Sequence, residues 1–262
     1  MEISMKTAIC ISGQPRFFDI GYHFINQNIL QRNDCDVFLH AWYDKKNNDT
    51  PYSCASWNEG MSDHSINNTD KILLEMYQPK LHTFEPEYES FPTPRDIKEY
   101  EEKNTTDSTA NIIFSMFNSI CKSIQLKEQY EKENDFVYDC VVRIRYDCAV
   151  IDPVNFEDIS KHNDFENSIY YCDVIRNPNV MCDYFNFGNS ENMNKYAEIF
   201  DNLDSYWNED KALLCGEEML TYHIRKHHKL DAVGLPISTL LIRDRELKNQ
   251  SFGKVYSHWA VQ

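Results

Sequence analysis

The run from Asp135 to Asp152, DFVYDCVVRIRYDCAVID, constrains the fold of this chain more than any other stretch. Phe136, Val137, Tyr138, Val141, Val142 and Ile144 are β-branched or aromatic and nearly continuous, which suits a strand buried on both faces. Arg143, Arg145 and Asp147 come at its end, and Asp152-Pro153 stops it. An apolar strand that finishes in charge holds those charges at the edge of a sheet. That edge is expected to be the active site.

The flanking sequence supplies partners for such a strand. Thr7 to Ile11, Cys35 to Trp42, Lys80 to Phe84, Ser168 to Cys172 and Ile237 to Ile242 read as further strands. Between them lie helical patterns. Phe17 to Leu30 carries Phe17, Ile20, Phe24 and Ile29 on one side, and Thr69 to Tyr77 is a shorter helix. Ser108 to Glu131 repeats Ile112, Ile113, Met116, Phe117, Ile120 and Ile124 at three- and four-residue spacing. A helix with Met193, Tyr196, Ile199, Phe200 and Leu203 follows, then another over Lys211 to Lys229. This alternation predicts an α/β fold: one domain over 1–262, with a central, mostly parallel mixed sheet flanked by helices. Polar insertions are expected near 43–64 and 85–106.

Charge and cysteine content narrow the function. With 42 acidic and 26 basic residues the net charge is -16, so a broad electropositive surface for nucleic acid is excluded. No GxxxxGK phosphate loop is present. Nine cysteines form no CxxC pair and several sit in apolar runs, which favours thiols in a reducing, cytoplasmic compartment over a disulfide framework. No segment is long and apolar enough to be a transmembrane span. An acidic protein that handles phosphates would benefit from a divalent metal as intermediary.

Three places carry candidate chemistry. The loop Ser12-Gly13-Gln14-Pro15-Arg16 follows the first strand, and its glycine allows special backbone angles or close ligand approach. In the last long helix, Leu213, Glu217, Leu220 and Ile224 fall on one face at 100° per residue, with Glu218 to the side. A carboxylate on an inward stripe is either salt-bridged to Arg143 or Arg145, or a base aimed into a pocket. His223 and His227 are four residues apart, but histidines near a helix C-terminus have an electrostatic reason of their own to be there. His40 is expected to be a buried structural histidine.

Taken in order, Ile9 to Arg16 (ICISGQPR), Asp36 to His40 (DVFLH), Arg143 to Asp147 (RIRYD), Asp183 to Glu191 (DYFNFGNSE) and Gly216 to Leu220 (GEEML) resemble a glycosyltransferase of the GT-A fold. The similar proteins are small sugar transferases of bacterial surface-polysaccharide clusters and of large DNA viruses. The resemblance spans roughly Lys6 to Ile242. It implies a nucleoside-diphosphate sugar as donor and a glycan hydroxyl as acceptor, with no nucleic acid partner; it fixes no oligomeric state. It places the donor at the C-terminal edge of the sheet, against Ser12, Gly13, Gln14, Arg16, Arg143 and Arg145. Where the family carries a DxD motif this chain has Arg145-Tyr146-Asp147, so Asp147 alone is left to hold Mn2+ or Mg2+, or an arginine takes over part of the metal's role. The resemblance assigns the catalytic base to Glu217 or Glu218, with Asp183 as a further candidate, and favours inversion. The alternatives are a nucleotide-sugar-binding protein without transfer activity and a nucleotide-sugar hydrolase.

Overall fold

A computed structural model of the chain describes residues 5–46, 68–88, 110–172, 180–208 and 215–243. Most of the two polar insertions and the start of the helix expected from Lys211 lie outside the described residues. In chain order the strands are β1 (Lys6–Gly13), β2 (Asp34–Trp42), β3 (Leu81–Glu85), β4 (Cys140–Ile144), β5 (Cys148–Val150), β6 (Ser168–Cys172), β7 (Phe185–Gly188), β8 (Asp231–Leu235) and β9 (Thr239–Leu241). The helices are α1 (Phe18–Asn28), α2 (Thr69–Tyr77), α3 (Ala110–Asn134), α4 (Phe156–Lys161), α5 (Ser190–Ala197), α6 (Ile199–Asn208) and α7 (Gly216–Tyr222).

Seven strands form one mixed sheet in the order β3-β2-β1-β4-β7-β6-β8. β1, β2, β3 and β4 run parallel, β7 is antiparallel to both β4 and β6, and β8 is parallel to β6. The mostly parallel α/β sheet expected from the sequence is therefore present. Because β7 runs the opposite way, its start lies at the same edge as the ends of β1, β2, β3 and β4. One sheet edge thus collects Gly13, Trp42, Glu85, Ile144 and the residues just before Phe185.

β4 sits in the middle, with every residue from Cys140 to Ile144 buried. It is shorter than the sequence reading: Val137 is 68% exposed and precedes the strand, because the chain meets the sheet only where Asp139 N–H reaches the Lys6 carbonyl. The sequence also left β5, β7 and β8 unassigned. β5 and β9 make a separate two-stranded ribbon whose apolar side chains Ala149, Leu240 and Ile242 close over Phe17, with Ile20 and Phe24 of α1 against them.

α3 lies across the face of the sheet that carries Phe38 and His40. Ile113, Phe114, Phe117, Ile120 and Ile124 are buried there, whereas Ile112 is turned outward, contrary to the periodicity. His40 is enclosed as expected, with Ser119 Oγ at 2.6 Å and Glu85 Oε1 at 3.0 Å on its two ring nitrogens. Trp42 is also core, its indole N–H donating to the Ser115 carbonyl. α1 packs against the loop after β4 so closely that a Cβ on Gly21 would overlap the Tyr146 carbonyl oxygen. Glycine there lets a helix fix the backbone immediately before Asp147. After α7 the chain continues as a turn of π-helix, His223–His227, a geometry rarely used outside special local packing.

Candidate active site

The sheet edge expected to be functional is lined by charge. Asp147 follows β4 and is 1% exposed. Arg145 donates to it through a two-pronged fork, Nε to Oδ1 and Nη2 to Oδ2, both at 2.8 Å. Arg16, from the loop after β1, brings its Nη2 to 3.5 Å of the same carboxylate. Arg243, just after β9, joins the cluster: the neighbouring Ile242 N–H donates to the Asp147 carbonyl at 2.8 Å, and Arg243 and Asp147 act electrostatically on each other. Burial opposes ionisation of Asp147, but Arg145, Arg16 and Arg243 outweigh it and hold its carboxyl down at about 2.

Arg143 is placed differently from expectation. It lies inside β4 rather than beyond its end, paired with Cys10 on one side and Asn186 on the other, and is 1% exposed. Among the described residues its Nε and Nη1 have no hydrogen-bond partner. Burial lowers its affinity for a proton, Arg145 adds to this, and Tyr196 and Asp183 work the other way. Buried guanidinium groups are normally paired, so these orphaned donors stand out.

On the other side of the edge is a carboxylate pair. Arg145 N–H donates to the Tyr184 carbonyl at 3.2 Å, which draws the segment before β7 alongside Arg145. The same segment is tied to α7, because Met181 N–H donates to Thr221 Oγ1 and Thr221 in turn donates to the Glu217 carbonyl. Asp183 Oδ2 therefore lies against Gly216, 3.7 Å from where a Cβ would be. Glu217 senses Asp183 most strongly: that charge, and then burial, push its pKa up, with Cys215 and Arg145 opposing. Cys215 Sγ is 3.3 Å from Glu217 Oε2.

The helical-face reading of Glu217 needs correction. The inward stripe of α7 and the π turn is Gly216, Met219, Leu220, His223 and Ile224, while Glu217 and Glu218 are both exposed. The Asp183 charge nonetheless acts on Glu217 and raises its pKa, which places this carboxylate beside the charged edge. Among the described residues no hydrogen bond or ion pair ties the Glu218 side chain to the cluster. The strand-end loop behaves as its glycine suggested: Gly13 has φ +117°, with open space where a Cβ would stand. Ser12 is buried at the end of β1 with its hydroxyl unpartnered, and Gln14 donates to Glu87 at 2.6 Å.

A divalent cation does not fit the residues that the sequence offered for it. Mn2+ or Mg2+ needs several oxygen lone pairs in its shell. Both oxygens of Asp147 accept from the Arg145 fork, Arg16 stands 3.5 Å from Oδ2, and the positive charge of Arg243 acts on the same carboxylate, so a further cation would meet three guanidinium groups there. Among the described residues no group of three or more His, Cys, Asp or Glu side chains could hold a metal, the His223–His227 pair included. His223 is instead fully buried between Tyr206 Oη at 2.6 Å and the Lys195 carbonyl at 2.7 Å.

Comparisons with known proteins give the following. No family model and no curated protein sequence matches the chain. Among solved structures it is similar to the apo form of the glycosyltransferase GlyE of Streptococcus pneumoniae TIGR4, with 10% identity and a TM-score of 0.41 over 88% of this chain. A second structure of GlyE matches with 11% identity and a TM-score of 0.39 over 89% of this chain. The chain spans 45% of the length of each. Among the described residues no helix is long and apolar enough to cross a membrane.

Proposed function

We propose that the chain transfers a sugar from a nucleoside-diphosphate sugar to a glycan hydroxyl. One observation carries the reading: at a single sheet edge, buried and half-buried arginines gather near a carboxylate pair. The arginines are Arg16, Arg143, Arg145 and Arg243; the pair is Asp183 and Glu217. Transfer from such a donor needs both halves. The acceptor oxygen bonds to the anomeric carbon, while the bond from that carbon to the diphosphate oxygen breaks and its electron pair leaves with the diphosphate. Fixed cations stabilise that growing charge, and a carboxylate takes the hydroxyl proton.

Glu217 is the better base of the pair. Asp183 raises its proton affinity, and its exposure leaves room for an acceptor. A base separate from the cationic wall suits a single displacement with inversion. The order of the sequence motifs supports the same reading.

The test is a screen of nucleotide-sugars for binding and turnover, with and without Mn2+, against glycan acceptors. Acceptor-dependent release of nucleoside diphosphate is expected. Binding without turnover would mark a nucleotide-sugar-binding protein, and release of free sugar whatever the acceptor would mark a hydrolase. Either outcome overturns the transfer reading.

A further inference from the structure

We propose that this cluster holds the diphosphate of its ligand directly through Arg16, Arg143, Arg145 and Arg243, with Asp147 positioning Arg145 rather than binding a divalent cation. The inference rests on reading the sheet edge as the donor site. It goes further in saying what neutralises the diphosphate.

Four guanidinium groups, those of Arg16, Arg143, Arg145 and Arg243, gather around Asp147, Asp183 and Glu217 inside a chain of net charge -16. Among the described residues two donors of Arg143 are orphaned although the residue is 1% exposed. The arginines also work against each other: Arg145 disfavours the charged forms of Arg143 and Arg243, and Arg16 does the same to Arg243. A bound dianion removes both problems, because phosphate oxygens accept guanidinium N–H bonds in the geometry carboxylates do. A divalent cation would aggravate them.

Asp147 has a different task. Its two hydrogen bonds to Nε and Nη2 fix the plane of the Arg145 guanidinium. The remaining edge of that group, Nη1 and the outer hydrogen of Nη2, is left to meet a ligand. This also accounts for arginine standing where the related motif has its first acid. Arg145 supplies the positive charge, and Asp147 is kept as its anchor.

The experiment is calorimetric titration of the whole chain with inorganic pyrophosphate, in EDTA and in excess Mg2+. Binding in EDTA is expected to be at least as tight as in Mg2+. Arg145→Gln and Arg143→Met are each expected to weaken it by about tenfold or more, the loss of one charge-assisted hydrogen bond or better. Arg143→Lys, which keeps the charge and loses the Nε donor, serves if the methionine variant does not fold, and is expected to weaken binding too. Asp147→Asn is expected to change the affinity by the same factor in EDTA and in Mg2+. Binding that appears only with Mg2+, or an Asp147→Asn effect confined to the Mg2+ titration, would overturn the proposal. If pyrophosphate binds in EDTA but no nucleotide-sugar is turned over, the transfer reading fails and the anion site stands.

Discussion

Two buried cations on this protein have opposite surroundings. Lys127, in the middle of α3, is 0% exposed and uses all three ammonium donors: Glu131 Oε2 at 3.0 Å, Ser190 Oγ at 2.7 Å and Asn194 Oδ1 at 2.6 Å. Glu131 is satisfied in turn, accepting from the Tyr138 N–H and from Ser190. Arg143 is buried almost as completely, yet among the described residues two of its nitrogens have no hydrogen-bond partner. The first arrangement is complete without a ligand and clamps α3 to α5 and to the entry of β4. The second leaves donors that a ligand can complete. Burial of charge alone does not mark a functional site; burial with donors left over at the sheet edge does.

The comparison is broken most directly by making the same substitution at both places. Lys127→Met leaves Glu131 buried without its cation and is expected to destabilise the fold by about 3–5 kcal/mol. Arg143→Met removes an unpaired charge and is expected to leave stability unchanged or raise it by about 1–4 kcal/mol. Urea unfolding of the two variants measures both, and equal losses would show that Arg143 is a structural cation like Lys127.

Next in size is the base. Glu217→Gln is expected to lower turnover by about 100-fold or more while leaving donor affinity nearly unchanged. Steady-state kinetics alongside donor titration separate the two effects. A loss of affinity without a loss of turnover would move Glu217 out of the catalytic role.

A third test uses His223, a polar group that is buried and satisfied. Burial is the main reason its imidazole is held down at about 3, with the Lys195 carbonyl opposing. The unfolded chain protonates near the ordinary value of about 6.5. The folded pKa is the lower one, so the unfolded state takes up the proton first as pH falls. Stability is therefore full above about 6.5, declines by up to about 1.4 kcal/mol per pH unit and levels off near 3. His223→Gln is expected to flatten that decline, read from unfolding midpoints at pH 7 and pH 5. The smallest effect is expected at Glu218. Glu218→Gln should leave turnover within about twofold, because among the described residues no hydrogen bond or ion pair ties this side chain to the arginines or to Asp183.

Much of the fold was legible from periodicity. β1, β2, β3 and α3 lie close to where their apolar patterns put them, and β4 was recognisable as a central strand from its β-branched run. β5, β7 and β8 were not. They are three to five residues long, and Gly188 and Gly234 sit within two of them, so no hydrophobic period has room to develop. At the site, the sequence pointed to Arg16, Arg145, Asp147, Asp183 and Glu217. It could not show that Arg145 occupies both oxygens of Asp147, since residues two apart on a strand point the same way and only the turn after β4 decides whether they meet.

What the sequence determined by itself is therefore the material: an apolar central strand ending in RIRYD, a glycine loop after the first strand, and an acidic helix start at Gly216. Local patterns specify these because each needs only its near neighbours. The tertiary structure alone decided how they combine. The reversed β7 delivers Asp183 to the edge where the parallel strands end, and the hydrogen bonds through Thr221 set Glu217 beside it. The ribbon of β5 and β9 returns Arg243 to Asp147 across almost a hundred residues of chain. These are long-range pairings, fixed by sheet register and burial, and together they turn an isolated RYD into an arginine-held carboxylate.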